Sequence, residues 1–348
     1  MCSIFKTRLA TARIVALPGA DTTLITIPEL RSGWRPGQHV RIRVPAFGLV
    51  RGFESHPFTI ASAPNGEGLV LMCKKAGDWT TRLNHHAAAG SITETGEKGR
   101  HITIILEGPY GGLGNTMISS YSGAMLVAGG SGITSALGHA TGLIARAPTG
   151  AVRTRTIDLV WLVRTEEIAK PFVKILSDLV DEAKRWEQKC IRAQGGLRPV
   201  ALRVHVFITR CSIDSPPNLL PYSPSSGSSG GSSSASLEDD KSVRLESGDL
   251  NTFTTTSLTM TNGNTSSEVL SSITVKTLRP SFIAVLSGIT DETIERGAKE
   301  GHSPSGILVT ACGPGGMVFT VSESVRLYEE YKKKLVGGVD FEAQHFGW

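Results

Sequence analysis

The first third of the chain alternates short apolar runs with turns. Segments 11–17 (TARIVAL), 21–27 (DTTLITI), 39–44 (HVRIRV), 68–74 (GLVLMCK) and 101–106 (HITIIL) are rich in Val, Ile, Leu and Thr, and Gly or Pro separates them. Such runs fit strands that bury one face, and many of them closely spaced predict a small antiparallel barrel over residues 1–115. After Asp78, the stretch WTTRLNHHAAA carries apolar residues at helical spacing and predicts one helix. From about residue 120 the rhythm changes. AMLVAGG (124–130), IDLVWLVR (157–164), LRVHVFITR (202–210) and GILVTACG (306–313) read as buried strands. Residues 131–147 and 166–189 read as helices between them. Strands alternating with helices predict a doubly wound parallel sheet over 120–348.

One stretch breaks this pattern. Residues 223–236 hold only Ser, Gly, Pro and Ala, and Ser/Thr-rich sequence continues to about 278. That composition buries too little apolar surface to offset the entropy of ordering, so residues 212–278 are expected to form a disordered insert within the second domain. A tolerated insertion and a regulatory phosphorylation site are both open readings of it.

Composition narrows the function classes. The formal net charge of +5 suits a protein that holds polyanionic cofactors, and equally one that binds nucleic acid or an anionic membrane. The basic residues form no stripe with interleaved aromatics, which argues against nucleic acid. Five scattered cysteines (Cys2, Cys73, Cys190, Cys211, Cys312), with no CxxC, argue against a disulfide framework or a zinc site and for a reducing compartment. No apolar run approaches the ~18 residues of a membrane span, so the chain is expected to be soluble.

Six segments and the C-terminus carry candidate chemistry. RPGQHV (35–40) and HPFTIAS (56–62) offer a flat apolar wall and a hydroxyl donor: Pro57 fixes the backbone, Phe58 packs and Thr59 donates. A strand entering a turn, with His56 on the surface, fits the same residues. KKAGDWTTRL (74–83) sets Lys74 before a helix start, either a phosphate cradle or a plain Asp or Thr cap. EGPYGG (107–112) closes the barrel. VAGGSGITSAL (127–137) gives the strand, glycine turn and helix that a dinucleotide pyrophosphate needs, without the GxGxxG spacing; an ordinary βα turn is the alternative. In VWLVRTEE (160–167), Arg164 suits a 2′-phosphate, whereas Glu166 or Glu167 would suit a free ribose. TACGPGGM (310–317) is a second strand-to-helix glycine turn with Cys312 at its tip, either beside a nicotinamide or simply a buried thiol. The terminal VDFEAQHFGW (339–348) ends in Phe346 and Trp348, aromatics expected to dock on the core or over a ring.

The ordered series RPGQH, HPFTIAS, GDWT, GPYG, AGGSGIT, WLVR, CGPGGM and an aromatic terminus resembles the cytosolic dehydrogenase region of fungal ferric-chelate reductases. It is more distantly similar to NADPH oxidases, within the ferredoxin–NADP reductase-like superfamily. The resemblance covers nearly the whole chain apart from the Ser-rich insert. It implies an FAD-binding barrel followed by a Rossmann-like, NADP-binding parallel-sheet domain. The implied activity takes hydride from NADPH onto FAD and passes electrons on singly, to haem and ferric iron in the family, serving iron or copper uptake. A soluble diaphorase with a protein acceptor and a non-catalytic regulatory relative are the alternatives.

By the same resemblance, His56, Pro57, Phe58 and Thr59 would line the flavin, with Lys74, Trp79 and Thr80 near its phosphates. Gly129, Gly130, Ser131, Gly132, Ile133 and Thr134 would hold the NADPH pyrophosphate, and Arg164 its 2′-phosphate. Cys312, Gly313, Pro314, Gly315 and Gly316 would sit by the nicotinamide, and Trp348 or Phe346 would cover the flavin. Thr59, Cys312 and Trp348 are the residues expected to act on the reaction, and no metal ligand is expected. The family's haem-binding membrane domain lies upstream of this region. The chain begins almost at the first strand, so it reads either as a fragment acting on the cytosolic side of a membrane or as a soluble relative with another acceptor. His85 and His86, adjacent on a helix, read as a surface pair and not as haem ligands.

Overall fold

The computed structural model describes residues 7–64, 66–92, 98–193, 197–210, 256–257, 271–277 and 279–344. The N-terminal domain is built from β1 (Thr7–Leu17), β2 (Thr22–Ile27), β3 (His39–Arg43), β4 (His56–Thr59) and β5 (Leu69–Lys74). Helix α1 (Asp78–Ala88), the short β6 (Ser91–Ile92) and the long β7 (Lys98–Tyr110) complete it. The antiparallel strands run in the order β4-β3-β7-β1-β2-β5, and a bridge between Ile60 and Leu71 closes β4 onto β5. The ring is therefore a barrel, as the alternating runs predicted. Its core holds Ile14, Ile25, Ile42, Ile60, Leu71 and Ile104, and α1 adds Trp79, Leu83 and Ala87.

The second domain contains β8 (Gly123–Gly129), α2 (Ile133–Arg146), β9 (Thr156–Val163), α3 (Glu166–Arg192) and β10 (Ala201–Ile208). After the short β11 (Thr256–Ser257) come β12 (Ser272–Thr277), α4 (Phe282–Glu300), β13 (Ile307–Cys312), α5 (Gly315–Arg326), α6 (Glu330–Leu335) and β14 (Val339–Gln344). The sheet order is β11-β12-β10-β9-β8-β13-β14, parallel throughout except for β11 against β12. Strands β8, β9, β10 and β13 coincide with the four apolar runs. Fully buried strands such as β8 need no alternation, because helices cover both faces of the sheet.

Two strands correct the sequence reading. Ser272–Thr277 falls inside the span expected to be disordered, yet it pairs in parallel with β10 over six residues. Ser271 explains how a Ser-rich edge is fixed: its hydroxyl accepts from Leu202 N–H and donates to the buried Glu187 carboxylate, which also takes the Ser271 N–H. Residues 272–277, and Thr256–Ser257 that pair with them, are therefore part of the sheet, while residues 211–255, 258–270 and 278 lie outside the described residues. At the other edge VDFEAQ forms β14 against β13; Phe346 and Trp348 lie outside the described residues.

The two domains share a packed seam. Leu17, Ala20, Ala61 and Met72 of the barrel belong to one apolar cluster with α2, β9 and α3. Along α2, Gly138 and Gly142 face the barrel. A Cβ on Gly138 would lie 2.7 Å from the Ile60 carbonyl oxygen, and one on Gly142 would lie 2.4 Å from Pro36. On the far side of the sheet, Arg203 donates twice to Asp158 on the adjacent strand (2.6 and 2.9 Å) and pairs with Glu292 of α4, which Arg296 also holds at 2.9 Å. Burial opposes the Asp158 charge, but hydrogen bonds from His205 and Arg203 outweigh it and hold the carboxyl below the usual range.

His139 sits in the seam, 1% exposed. Gln344 of β14 donates to its Nε2 (3.1 Å) and accepts from Ser135 one helical turn away, which ties the end of β14 to α2. Burial pushes the imidazole down to about 4, so it is neutral in the folded protein. An unfolded chain takes up that proton as pH falls through about 6.5, while the folded chain does not, so stability is lost as pH drops from there toward about 4. Urea unfolding is expected to show a loss of about 2 kcal/mol between about pH 7.5 and about pH 5, with most of that slope absent in His139→Leu. An unchanged slope in the variant would assign the pH dependence elsewhere.

Candidate functional site

A cleft of about 790 Å³ opens where the C-terminal ends of β8, β9, β10 and β13 face the barrel. One wall is the turn from β8 into α2, Gly129 to Thr134; a second is the turn from β13 into α5, with Gly313, Pro314 and Gly316. Arg164 follows β9, Arg279 follows β12, and Lys74 ends β5 on the barrel side. Strand ends at the middle of a parallel sheet leave such a crevice because neighbouring connections depart to opposite faces.

The two glycine turns interlock backbone against backbone. A Cβ on Gly132 would fall 2.0 Å from the Cys312 carbonyl oxygen, so no other residue fits there. Gly130 has φ +55°, and at Gly130 and Gly316 an added Cβ would meet nothing but the cleft. No side chain caps α2: Ile133 N–H donates to the Gly130 and Ser131 carbonyls of the preceding turn, and the helix start opens onto the cleft. The Thr134 hydroxyl donates back to the Ser131 carbonyl (3.1 Å), and the buried Trp161 indole N–H donates to the Gly130 carbonyl (2.9 Å). Phe172 of α3 packs against that indole, with ring centroids 5.1 Å apart.

The structure brings together Lys74, Gly129 to Thr134, Arg164, Gly313, Pro314 and Gly316 of the residues singled out in the sequence. Cys312 lies deeper. It is buried beneath Gly132, and burial pushes its thiol up to about 12, so it carries a proton and no charge. Glu166 and Glu167 form the first turn of α3. Glu166 pairs with Lys170 at 3.2 Å, and hydrogen bonds from its own backbone N–H and from Thr165 lower the Glu167 carboxyl, so both serve the helix end.

HPFT forms β4, and alternation splits its side chains between two faces. His56 and Phe58 turn into the barrel and stack on Trp79, with centroids 4.4 and 6.0 Å apart. Phe58 and Trp79, expected along the flavin and its phosphates, thus spend their rings on the barrel core. Thr80 is likewise engaged: its hydroxyl accepts from Ala76 and Gly77 N–H and donates to the Gly77 carbonyl, capping α1. Thr59 points the other way, on the face that carries Ala61 to the second domain. It is buried, and its hydroxyl has no hydrogen-bond partner among the described residues. An orphaned buried hydroxyl is costly unless a ligand completes it.

Sequence reasoning missed Trp161, Arg279 and Thr209 of the cleft. The signal for Arg279 was a cation between a β-branched run and a Pro-Ser helix start, hidden because the run was assigned to the insert. Among the described residues, no group of His, Cys, Asp and Glu is placed to hold a metal, and no helix is long and apolar enough to cross a membrane.

Comparison with known proteins agrees with this division. Residues 121–326 match the ferric reductase NAD binding domain. The chain belongs to that family. Residues 5–113 match an FAD-binding domain, so the barrel is FAD-binding and the α/β domain NAD(P)-binding. A protein named as a probable cell surface ferric reductase of Aspergillus oryzae is 32% identical over 178 residues, covering 48% of this chain and 22% of that protein. Dual oxidase 1 of Homo sapiens is 28% identical over 207 residues, covering 59% of this chain and 12% of that protein. The ferric reductase-type chain thus spans under a quarter of either relative. A ferredoxin NADP+ reductase from Neisseria gonorrhoeae, solved with FAD and NADP, superposes with a TM-score of 0.48 at 14% identity over 96% of this chain and 98% of that one.

Because Trp161 holds the glycine turn through one hydrogen bond, Trp161→Phe is expected to weaken nicotinamide nucleotide binding about fivefold. Titration of the purified protein reads this directly, and unchanged affinity would remove Trp161 from the positioning of Gly130.

Proposed function

We propose that this chain is the electron-entry portion of an NADPH-dependent ferric-chelate reductase, drawing on NADPH and delivering electrons one at a time toward haem and ferric iron. The observation that supports it most is the cleft, where two bare glycine turns and two guanidinium groups converge opposite the barrel. When bound, flavin and nicotinamide supply the hydride transfer and the release of single electrons.

The residues of the chain bind and orient. The start of α2, which no side chain caps, and the glycines from 129 to 132 suit a pyrophosphate. Arg164 and Arg279 have no ion-pair partner among the described residues and line the same wall, which suits a 2′-phosphate through charge-assisted hydrogen bonds. Glu166 pairs with Lys170 and Glu167 bonds to the helix start, which favours a 2′-phosphate over a free ribose as the group met here. The Gly313 to Gly316 turn suits the nicotinamide end, with Cys312 packing beneath it as a neutral thiol.

For the flavin, the orphaned Thr59 hydroxyl is the residue that fits best, since a ring nitrogen would complete it. Pro57, on the same face of β4 as Thr59, would shape that edge, His56 packs with Phe58 against Trp79, and Lys74 suits a phosphate. Phe58, Trp79 and Thr80 then act indirectly, by fixing the strand and helix that carry their neighbours. The gain comes from holding two rings in register and not from proton transfer.

Purified protein is expected to carry FAD and to lose its yellow colour anaerobically on addition of NADPH. Arg164→Ala is expected to raise KM for NADPH about tenfold or more while leaving KM for NADH unchanged. Thr59→Ala is expected to slow flavin reduction in stopped flow with little change in FAD retention. A preparation that binds no flavin and oxidises no NADPH would refute the assignment, and equal losses with both nucleotides would refute the role of Arg164.

A further inference from the structure

A second polar pocket lies at the opposite end of the parallel sheet, against the N-terminal ends of its strands. Arg153 and Arg155 precede β9, Arg198 precedes β10, and Arg296 reaches in from α4; Ser122 and His302 complete the rim. Strand β9 is eight residues long, which places this pocket roughly 25 Å from the nucleotide cleft.

The charge there is unbalanced. Four arginines line the pocket against one carboxylate, Glu300, which approaches Arg155 at 3.9 Å. Glu292 balances Arg296, because Asp158 matches Arg203, the other cation it meets; the excess charge rests on Arg153, Arg155 and Arg198 against Glu300. Arg155 is 7% exposed, and two of its hydrogen bonds go to the Val152 and Thr154 carbonyls, so it is a fixed guanidinium and not a mobile surface one. Burial, and then repulsion from Arg198 and Arg296 against the pull of Glu300, lowers its hold on its proton. The Arg153 side chain has no hydrogen-bond or ion-pair partner among the described residues, and the Arg198 guanidinium lies 3.3 Å from His302. The C-terminal end of α4 adds only about half a negative charge. Like charges gathered around one fixed guanidinium are destabilising unless an anion joins them.

The size of the space limits that anion. A volume of about 50 Å³ holds about four water-sized groups, the bulk of a single tetrahedral oxyanion and far less than a nucleotide. We propose that Arg153, Arg155, Arg198 and Arg296 form a binding site for a phosphate-type dianion, separate from the nucleotide cleft. Inorganic phosphate, a soluble phosphate ester and a phosphorylated lipid headgroup share that chemistry.

The full chain is melted in inorganic phosphate and in chloride at matched ionic strength. Expected is a saturable rise in melting temperature with phosphate, its apparent Kd about tenfold or more weaker for Arg198→Ala and the rise lost in Arg153→Ala/Arg198→Ala. Arg164→Ala, altered in the cleft, keeps the response. Both substitutions in the double variant are at exposed positions, and its melting temperature in chloride verifies that it folds. Sedimentation with phosphatidylcholine vesicles, with and without phosphatidylinositol 4-phosphate, separates the sources. Binding to the phosphorylated vesicles that free phosphate displaces assigns a headgroup; a phosphate response without vesicle binding assigns a soluble ligand. No saturable rise in the wild type, or an equal rise in the double variant, overturns the site.

Discussion

Helix α2 is buried on nearly every side, and the rest of the molecule is arranged around that constraint. Its N-terminus is the glycine turn of the cleft, and its flank is the seam with the barrel. Its inner face packs on β8 and β9, and its middle turns receive Gln344 from the last strand. Gly138 and Gly142 let the barrel backbone approach so closely that any larger residue would push the domains apart. Because one rigid element carries both the nucleotide turn and the domain contact, a shift at the seam is a shift at the site. This coupling suits chemistry that depends on the relative placement of two bound rings.

Two walls of the cleft are largely backbone. They are glycine turns locked against each other, steadied by the indole N–H of Trp161 from beneath. Charged side chains enter at Lys74, Arg164 and Arg279. Such a design places donors without ordering long side chains when a ligand arrives, which reduces the entropy lost on binding.

Most of the architecture was legible in the sequence because its strands are unbroken apolar runs between glycines. AMLVAGG and GILVTACG could hardly be anything else in a chain of this composition. SITVKT was not legible: the Ser/Thr-rich run leading into it hid a strand whose anchoring depends on Ser271 meeting Leu202 and Glu187, residues 69 and 84 positions away. The site was legible as a set of turns but less so as a set of side chains. Adjacent strand residues cannot face the same way, so a reading of HPFT that gave Phe58 and Thr59 one common surface overlooked the pleat. Likewise GDWT announced a helix start correctly, yet Trp79 and Thr80 were consumed in building it.

The buried cysteines bear on how such a protein survives its own chemistry. Flavin-binding oxidoreductases meet peroxide, which attacks thiolates far faster than thiols. Cys312 lies directly under the β8 turn, but desolvation keeps its sulfur protonated, and Cys73 and Cys190 are shifted in the same direction. The packing that closes the floor of the cleft therefore also makes the thiol beneath it a poor target for oxidative damage.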